Sequence, residues 1–391
     1  MAARLGWVAF FNDCSSEVLA RVLPLYLVVS LGATPALVGV VEGLAESAAI
    51  FLKGISGWLS DRMASRKGFV LGGYGLSVAA RACYLLTVSP VLLGCSRVLD
   101  RVGKGLRSAP RDAMVADAAI TGQTGRDFGV TRFLDTLGAL AGIALVLGLG
   151  VGKGPMREAT FKACAWIALP VGLTTLALLL FWVPAVSRAT RSAKRLAWLV
   201  PKEVRGYLAI VFVFSLANSS DAFLVLKARD AGFSVREILG LFLVFNAFAA
   251  LLAVPAGRLS DRFGRVRFLA LGWAVYAVAY AVMGTAMAPR SFAFALLGYG
   301  AFYGLTEGVE KALLADLLQP EHRGSGFGAL ESVIGLAALL ASPLMGVVMT
   351  TLGARAAFLM TGGLAGLAMA FLVIWAALRH GRTPHARTGL S

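Results

Sequence analysis

The 391-residue sequence predicts an all-α membrane protein with twelve transmembrane helices in two pseudo-symmetric six-helix bundles. Three observations carry that prediction. Charged residues are 15% of the chain and hydrophobic residues 58%, with a mean hydropathy of +0.77; soluble domains carry about 25% charged residues, so a soluble fold is excluded. Apolar runs of the ~20 residues that a spanning helix needs recur along the whole chain. Finally, Gly57-Trp-Leu-Ser-Asp61-Arg62 returns 200 residues later as Gly257-Arg-Leu-Ser-Asp261-Arg262, each copy following one long apolar run and preceding another.

The runs place spans at residues 7–31, 35–57, 68–88, 90–118, 128–151 and 162–183, then at 206–228, 236–257, 267–288, 291–317, 327–351 and 356–378. The first carries Asn12, Asp13, Ser16 and Glu17, with Glu17 near mid-depth. The second carries Glu42, Glu46 and Lys53, whose angular positions differ by about 40° on a helix, so all three share one face. The third has Arg81, near enough to the outer end for its side chain to reach the surface. The fourth is the most polar: Arg97, Asp100, Arg101, Lys104, Arg107 and Arg111 fall within an arc of roughly 120°, opposite Val98, Leu99, Val102 and Leu106. At about 1.5 Å per residue, Asp100 and Arg101 lie near the bilayer midplane. Arg132 and Asp135 open the fifth span, and the sixth has only Lys162 at its edge. The second half is plainer. Asn218, Ser219, Ser220 and Asp221 mark the seventh span and Asn246 the eighth. The tenth holds Glu307, Glu310 and Lys311, and Glu331 begins the eleventh. The ninth and twelfth have no interior charge.

The repeat extends beyond the opening motif. Asp117 before Phe128-Gly129 corresponds to Asp316 before Phe327-Gly328, and Gly32 corresponds to Gly232. The predicted domains are therefore residues 1–184 and 206–391, joined by a basic linker, 185–205. A duplicated membrane unit is the usual construction of a carrier with its site between the units.

The net charge of +16 does not indicate nucleic acid. The excess lies in the linker, in the tail and beside the repeated motif, and the twelve-span order puts all of these on one side. The positive-inside rule makes that side cytoplasmic, with both termini inside and the basic loops touching lipid. Cys14, Cys83, Cys95 and Cys164 fall within or at the edges of spans and read as buried structural thiols. None of the three histidines lies in a span, so a moving proton needs a carboxylate.

Gly257-x-Leu-x-Asp261-Arg262-x-Gly264-Arg265 resembles the loop motif of the major facilitator superfamily; the first copy keeps Gly57, Leu59, Asp61 and Arg62 but has Ala64-Ser65 in place of Gly-Arg. The wider run from Glu42 to Asp112 is similar to a bacterial permease subgroup without a secure substrate. The resemblance implies two bundles rocking about a central cavity lined by spans one, four, seven and ten. Spans two, five, eight and eleven are then gates, and the other four pack outside. The charges follow this division: the four outer spans hold almost none, as the cost of roughly 2.5–3.5 kcal/mol for a charge in hydrocarbon demands.

On this basis the sequence predicts a secondary active transporter, proton-coupled, moving a small polar or anionic organic solute across the inner membrane by alternating access. Efflux is favoured over uptake. The solute-binding candidates are Arg97, Asp100, Arg101, Lys104, Asn218, Asp221, Asn246 and Glu307. The proton-coupling candidates are Glu17, Glu46, Asp13 and Glu42. The gating candidates are Asp61, Arg62, Asp261, Arg262, Arg111, Asp112, Asp117, Arg132, Asp135 and Asp316. Through the resemblance, Asp61 and Asp261 each meet the positive end of a gate helix in the other half, near Phe327 and Phe128. Ion pairs of Glu17 or Glu46 with Arg97 or Arg101 are the expected way to bury these charges, either as helix locks or as a working site. The antiporter pattern on the fifth span is half met, with Gly138 and Gly142 but Ile143 in place of proline. The expected partners are the solute, protons and lipid, with no cofactor, no metal and a monomeric state. Multidrug efflux of amphipathic cations and metal-chelate uptake are the alternative cargoes. No nucleotide loop or serine elbow supports an enzyme, and no added soluble domain supports a receptor.

Overall fold

The computed structural model describes residues 2–60, 65–86, 89–118, 124–148, 156–184, 204–286, 288–318 and 323–380. Among these, all regular structure is helical. In chain order it comprises α1 (Ala2–Ala20), α2 (Leu23–Leu25) continued by a wide turn at Tyr26–Ser30, α3 (Pro35–Ser60), α4 (Lys67–Leu86), α5 (Pro90–Ala118), α6 (Thr124–Gly148) and α7 (Glu158–Phe181). Then follow α8 (Arg205–Ala217), α9 (Ala222–Asp230), α10 (Val235–Phe263), α11 (Arg265–Thr285), α12 (Pro289–Leu317), α13 (Arg323–Thr351) and α14 (Gly353–His380). Eight of the described segments are long and apolar enough to cross a membrane. The polar stripe of α5 keeps that helix out of the eight; α5 also runs on through Pro110 to Ala118.

Helix pairing repeats along the chain. In the first half α3 and α4 pack on α5, α1 packs on α6 and α7, and α4 packs on α7. In the second half α10 and α11 pack on α12, α8 packs on α13 and α14, and α11 packs on α14. The turns repeat as well. Gly32 and Gly232 both adopt positive φ, 67° and 92°, a conformation that glycine reaches without steric cost. After Gly232, Ser234 caps α10: its hydroxyl accepts from the Glu237 amide, and Glu237 accepts from the Ser234 amide.

Two interruptions were not expected from the apolar runs. The first predicted span breaks between Ala20 and Leu23, ahead of Pro24, and the seventh breaks at Asn218–Asp221. At the second break the freed Ala217 carbonyl accepts from the Tyr276 hydroxyl at 2.7 Å.

The halves meet most closely between α3 and α13. A Cβ added at Gly39 would run into the Ser342 carbonyl oxygen, and one at Gly346 would lie 2.5 Å from that of Pro35. Backbones this close need glycine. The Ala36 amide donates to Thr350 Oγ1, and Ser47 donates to the Gly335 carbonyl. Together with the packing of α2 and α3 on α9, these contacts close the end of the molecule that carries Gly32.

Candidate functional site

The charges of the first half resolve into pairs rather than one cluster. Arg97 grips Glu42 through two hydrogen bonds, Nε to Oε1 at 2.9 Å and Nη2 to Oε2 at 3.1 Å. Both side chains are buried. Glu42 also accepts from Ser220 Oγ at 3.2 Å, and the Ser220 amide donates to Ser342 Oγ, so this pair touches the break between α8 and α9.

One turn further along α5, Arg101 pairs with Glu46 at 3.0 Å, with 17% and 34% of the two side chains exposed. Lys104 follows and is exposed. It lies among the charges of Arg101, Glu46, Asp13 and Arg107. The stripe on α5 therefore divides: Arg97, Asp100 and Arg107 are buried, whereas Arg101 and Lys104 keep accessible surface beside Glu46.

Arg81 overturns one expectation. Its side chain does not reach towards a membrane surface; the residue is 1% exposed. It donates to Ser15 Oγ (2.8 Å) and Asn12 Oδ1 (2.9 Å) and pairs with Asp100 at 3.5 Å. Three helices, α1, α4 and α5, thus share one guanidinium. Asn12 in turn donates to Asp13 Oδ1. Arg107 donates to Ser77 Oγ and lies over the Tyr74 ring.

Glu17 does not join Arg97 or Arg101. Its partner is Arg21, at 3.3 Å, and Arg21 also pairs with Asp221 of the other half at 3.0 Å. The guanidinium lies over the Phe242 ring, 4.2 Å from its centroid. Asp221 accepts a second bond, 2.8 Å, from the Tyr299 hydroxyl. Sequence reasoning missed Arg21; the available signal was its place four residues after Glu17, one helical turn on. Phe242, Phe245 and Tyr299 are buried around this pair, as part of an aromatic wall that continues to Tyr303.

The remaining candidates are scattered. Asn246 bonds the Phe242 carbonyl one turn back, and Glu307 is exposed on α12. Arg111 bridges Asp112 and Asp135, linking α5 to α6. In the second half, Arg265 pairs with Asp261 at 2.8 Å and with Asp316. The Arg262 guanidinium lies over the Phe263 ring. Asp61 and Arg62 lie outside the described residues, as do the side chains of Asp117 and Arg132. All four cysteines are free, and Cys95 is exposed rather than buried. Among the described residues no group of three or more His, Cys, Asp or Glu gathers to hold a metal.

The family model of the Major Facilitator Superfamily matches residues 5–226 and matches again over 206–390. The chain belongs to the Major Facilitator Superfamily. It is 32% identical over 355 residues to an uncharacterized MFS-type transporter of Methanocaldococcus jannaschii, covering 88% of this chain and 86% of that one. Its fold is similar to the crystal structure of a mutant of the nucleoside transporter NupG, with a TM-score of 0.81 at 14% identity over 96% of this chain and 99% of that one. It is also similar to a POT family transporter in complex with 5-aminolevulinic acid, with a TM-score of 0.79 at 11% identity over 96% of each chain. Superfamily membership makes the protein an integral, multi-pass membrane transporter.

Proposed function

We propose that this protein is a proton-coupled carrier of a small anionic organic solute. On this reading the chain crosses the inner membrane twelve times with both termini cytoplasmic. Residues 1–184 and 206–391 rock about the cavity as a monomer in lipid. The carrying observation is the Arg101–Glu46 pair with Lys104 exposed beside it: around this point the cations Arg101, Lys104 and Arg107 outnumber the carboxylates Glu46 and Asp13. A solute carboxylate or phosphate fits that excess, forming charge-assisted hydrogen bonds with Arg101 and Lys104. It displaces Glu46, which is left beside added negative charge, and a proton is the counterion that restores neutrality. Solute and proton then bind together and move in the same direction. An inward proton gradient drives uptake under this coupling, the reverse of the direction favoured from the sequence. One similar structure holds 5-aminolevulinic acid, a small solute that carries a carboxylate together with an ammonium.

The closed Gly32 end and the Asp261 carboxylate, 62% exposed, support a state open towards the cytoplasm. Proteoliposomes test the reading. A panel of small carboxylates and phosphate esters, with amphipathic cations as the contrast, is offered under an imposed pH gradient. Accumulation of an anion that follows the proton gradient is expected. Glu46→Gln should leave exchange intact but make it indifferent to the gradient, and Arg101→Gln should weaken uptake by at least about tenfold, the loss of one charge-assisted contact of ~1.5–3 kcal/mol. Accumulation of cations alone, or unchanged uptake in Arg101→Gln, sinks the proposal.

A further inference from the structure

Arg21 sits between two carboxylates that belong to different halves of the chain. Glu17 lies one turn back, on α1, and Asp221 lies in the break between α8 and α9. The groups facing Asp221 are few. Arg21 donates to Oδ2 and Tyr299 donates to Oδ1. Tyr303 stands behind Tyr299, with its hydroxyl oxygen 3.4 Å from that of Tyr299. Tyr276 and Tyr280 of α11 pack against Tyr299. From α3, Glu42 reaches the same break through Ser220, but Arg97 already neutralises it. Among the described residues Arg21 is therefore the one cation paired with Asp221, and it is supplied by the opposite half. The side chains of Arg21, Glu17 and Asp221 are 11%, 22% and 23% exposed.

We infer that Asp221 is a second proton-carrying carboxylate of the transport cycle, separate from Glu46 in the solute site, exchanging Arg21 for a proton as the Gly32 end opens; this rests on the proton-coupled reading above. When the halves part at that end, Arg21 leaves with α1 and keeps Glu17, so its charge stays balanced. Asp221 stays with α9 and loses its cation. A proton from the open side binds a carboxylate oxygen and neutralises it. The site suits both forms, because the Tyr299 hydroxyl that donates to the carboxylate accepts from the carboxylic acid and turns its own hydrogen towards Tyr303. When the end closes, Arg21 returns, the O–H bond breaks and the proton departs into the cavity on the other side. At Asp221 one proton enters and one leaves per cycle. Glu17 serves as the holding partner of Arg21, a positioning residue.

Hydrogen–deuterium exchange on the solute-free protein in nanodiscs tests this. At alkaline pH, amides of the 217–224 and 31–38 segments should exchange slowly. On acidification, after correction for the intrinsic pH dependence, they should exchange about tenfold faster as the end opens locally. Asp221→Asn should exchange fast at every pH, and Arg21→Gln likewise. Asp221→Glu, which keeps a carboxylate, should restore the pH response, and Glu17→Gln should retain it. A pH response that persists in Asp221→Asn, or one that vanishes in Glu17→Gln with Asp221 intact, overturns the inference. Because no solute is used, this result stands apart from the Arg101 proposal: an intact response with no anion uptake would fault that site and leave Asp221 in place.

Discussion

Gly105 and Gly304 make the same contact at two places in the chain. A Cβ on Gly105 would lie 2.6 Å from the Ala49 carbonyl oxygen and 2.8 Å from Leu52 Cβ; one on Gly304 would lie 2.8 Å from that of Ala249 and 2.7 Å from Leu252 Cβ. The four partners keep the spacing of the repeated loop motif, so the duplication reaches the level of single packing atoms. In both places one helix, α5 or α12, lies directly on the backbone of another, α3 or α10. Alanine at either position forces those backbones apart, an overpacking cost of about 1–3 kcal/mol. Gly240 in α10 has open space around its missing Cβ, and alanine there should stabilise the helix by roughly 0.5–1 kcal/mol. Thermal unfolding of the three purified variants in detergent checks this, with Gly105→Ala and Gly304→Ala falling together and Gly240→Ala moving the other way.

The Arg97–Glu42 pair is buried, two-toothed and bonded on to Ser220. Removing one partner leaves an uncompensated charge, so Arg97→Met and Glu42→Leu should each cost about 3–5 kcal/mol. The double variant removes both charges and should recover most of that loss. Arg97→Lys should behave more like a loss than a conservative change, because an ammonium cannot make both bonds at once. A double-mutant cycle on unfolding temperature reads all four outcomes.

Arg81 shows where sequence reasoning stopped. Counting residues along a helix gives depth, and depth alone put Arg81 near a surface. Its partners Asn12, Ser15 and Asp100 come from two other helices, and which helix faces which is set by packing that one span does not reveal. The same limit separated Glu17 from its predicted partners: Glu46 and Arg101 were found because both lie on polar faces that meet, but Glu17 turns towards the other half. The helix class, the repeat and the positions of the apolar runs were legible because period and hydropathy are local. The breaks at Arg21 and at Asn218–Asp221 were not, since a polar Ser-Ser-Asp run reads equally as a marked helix face. Arg81→Ala should therefore destabilise by several kcal/mol, on the order of 3–5, rather than the near-zero effect expected of a surface-seeking arginine. Arg290, exposed at the start of α12, is the matched control and should change stability by under about 0.5 kcal/mol.

Gly39 and Gly346 tie the closed end together through backbone contact with Ser342 and Pro35, without charge. Gly39→Val should push α3 from α13 and favour the state open at the Gly32 end. Spin labels on the α3 and α13 ends should report a longer distance in Gly39→Val than in the parent. An unchanged distance would mean that the side chain is absorbed within the closed state.

Asp261 offers a separation of gating from stability. It is 62% exposed and paired with Arg265, which also holds Asp316, so all three charges belong to the second half in this state. An exposed pair of this kind contributes about 0–1 kcal/mol. Asp261→Asn should accordingly leave the unfolding temperature nearly unchanged. Its predicted work is done in the opposite state, when the Asp261 end closes and the carboxylate meets the positive end of α6. Losing roughly 0.3–1 kcal/mol there shifts the equilibrium towards the state described above by about two- to fivefold. Labelling an engineered cysteine near Phe263 from the side of the membrane that carries Asp261 should then rise by the same factor, with Arg265→Gln following in the same direction. If labelling is unchanged while stability falls, Asp261 is a cap for the turn at Gly264 and the latch lies elsewhere.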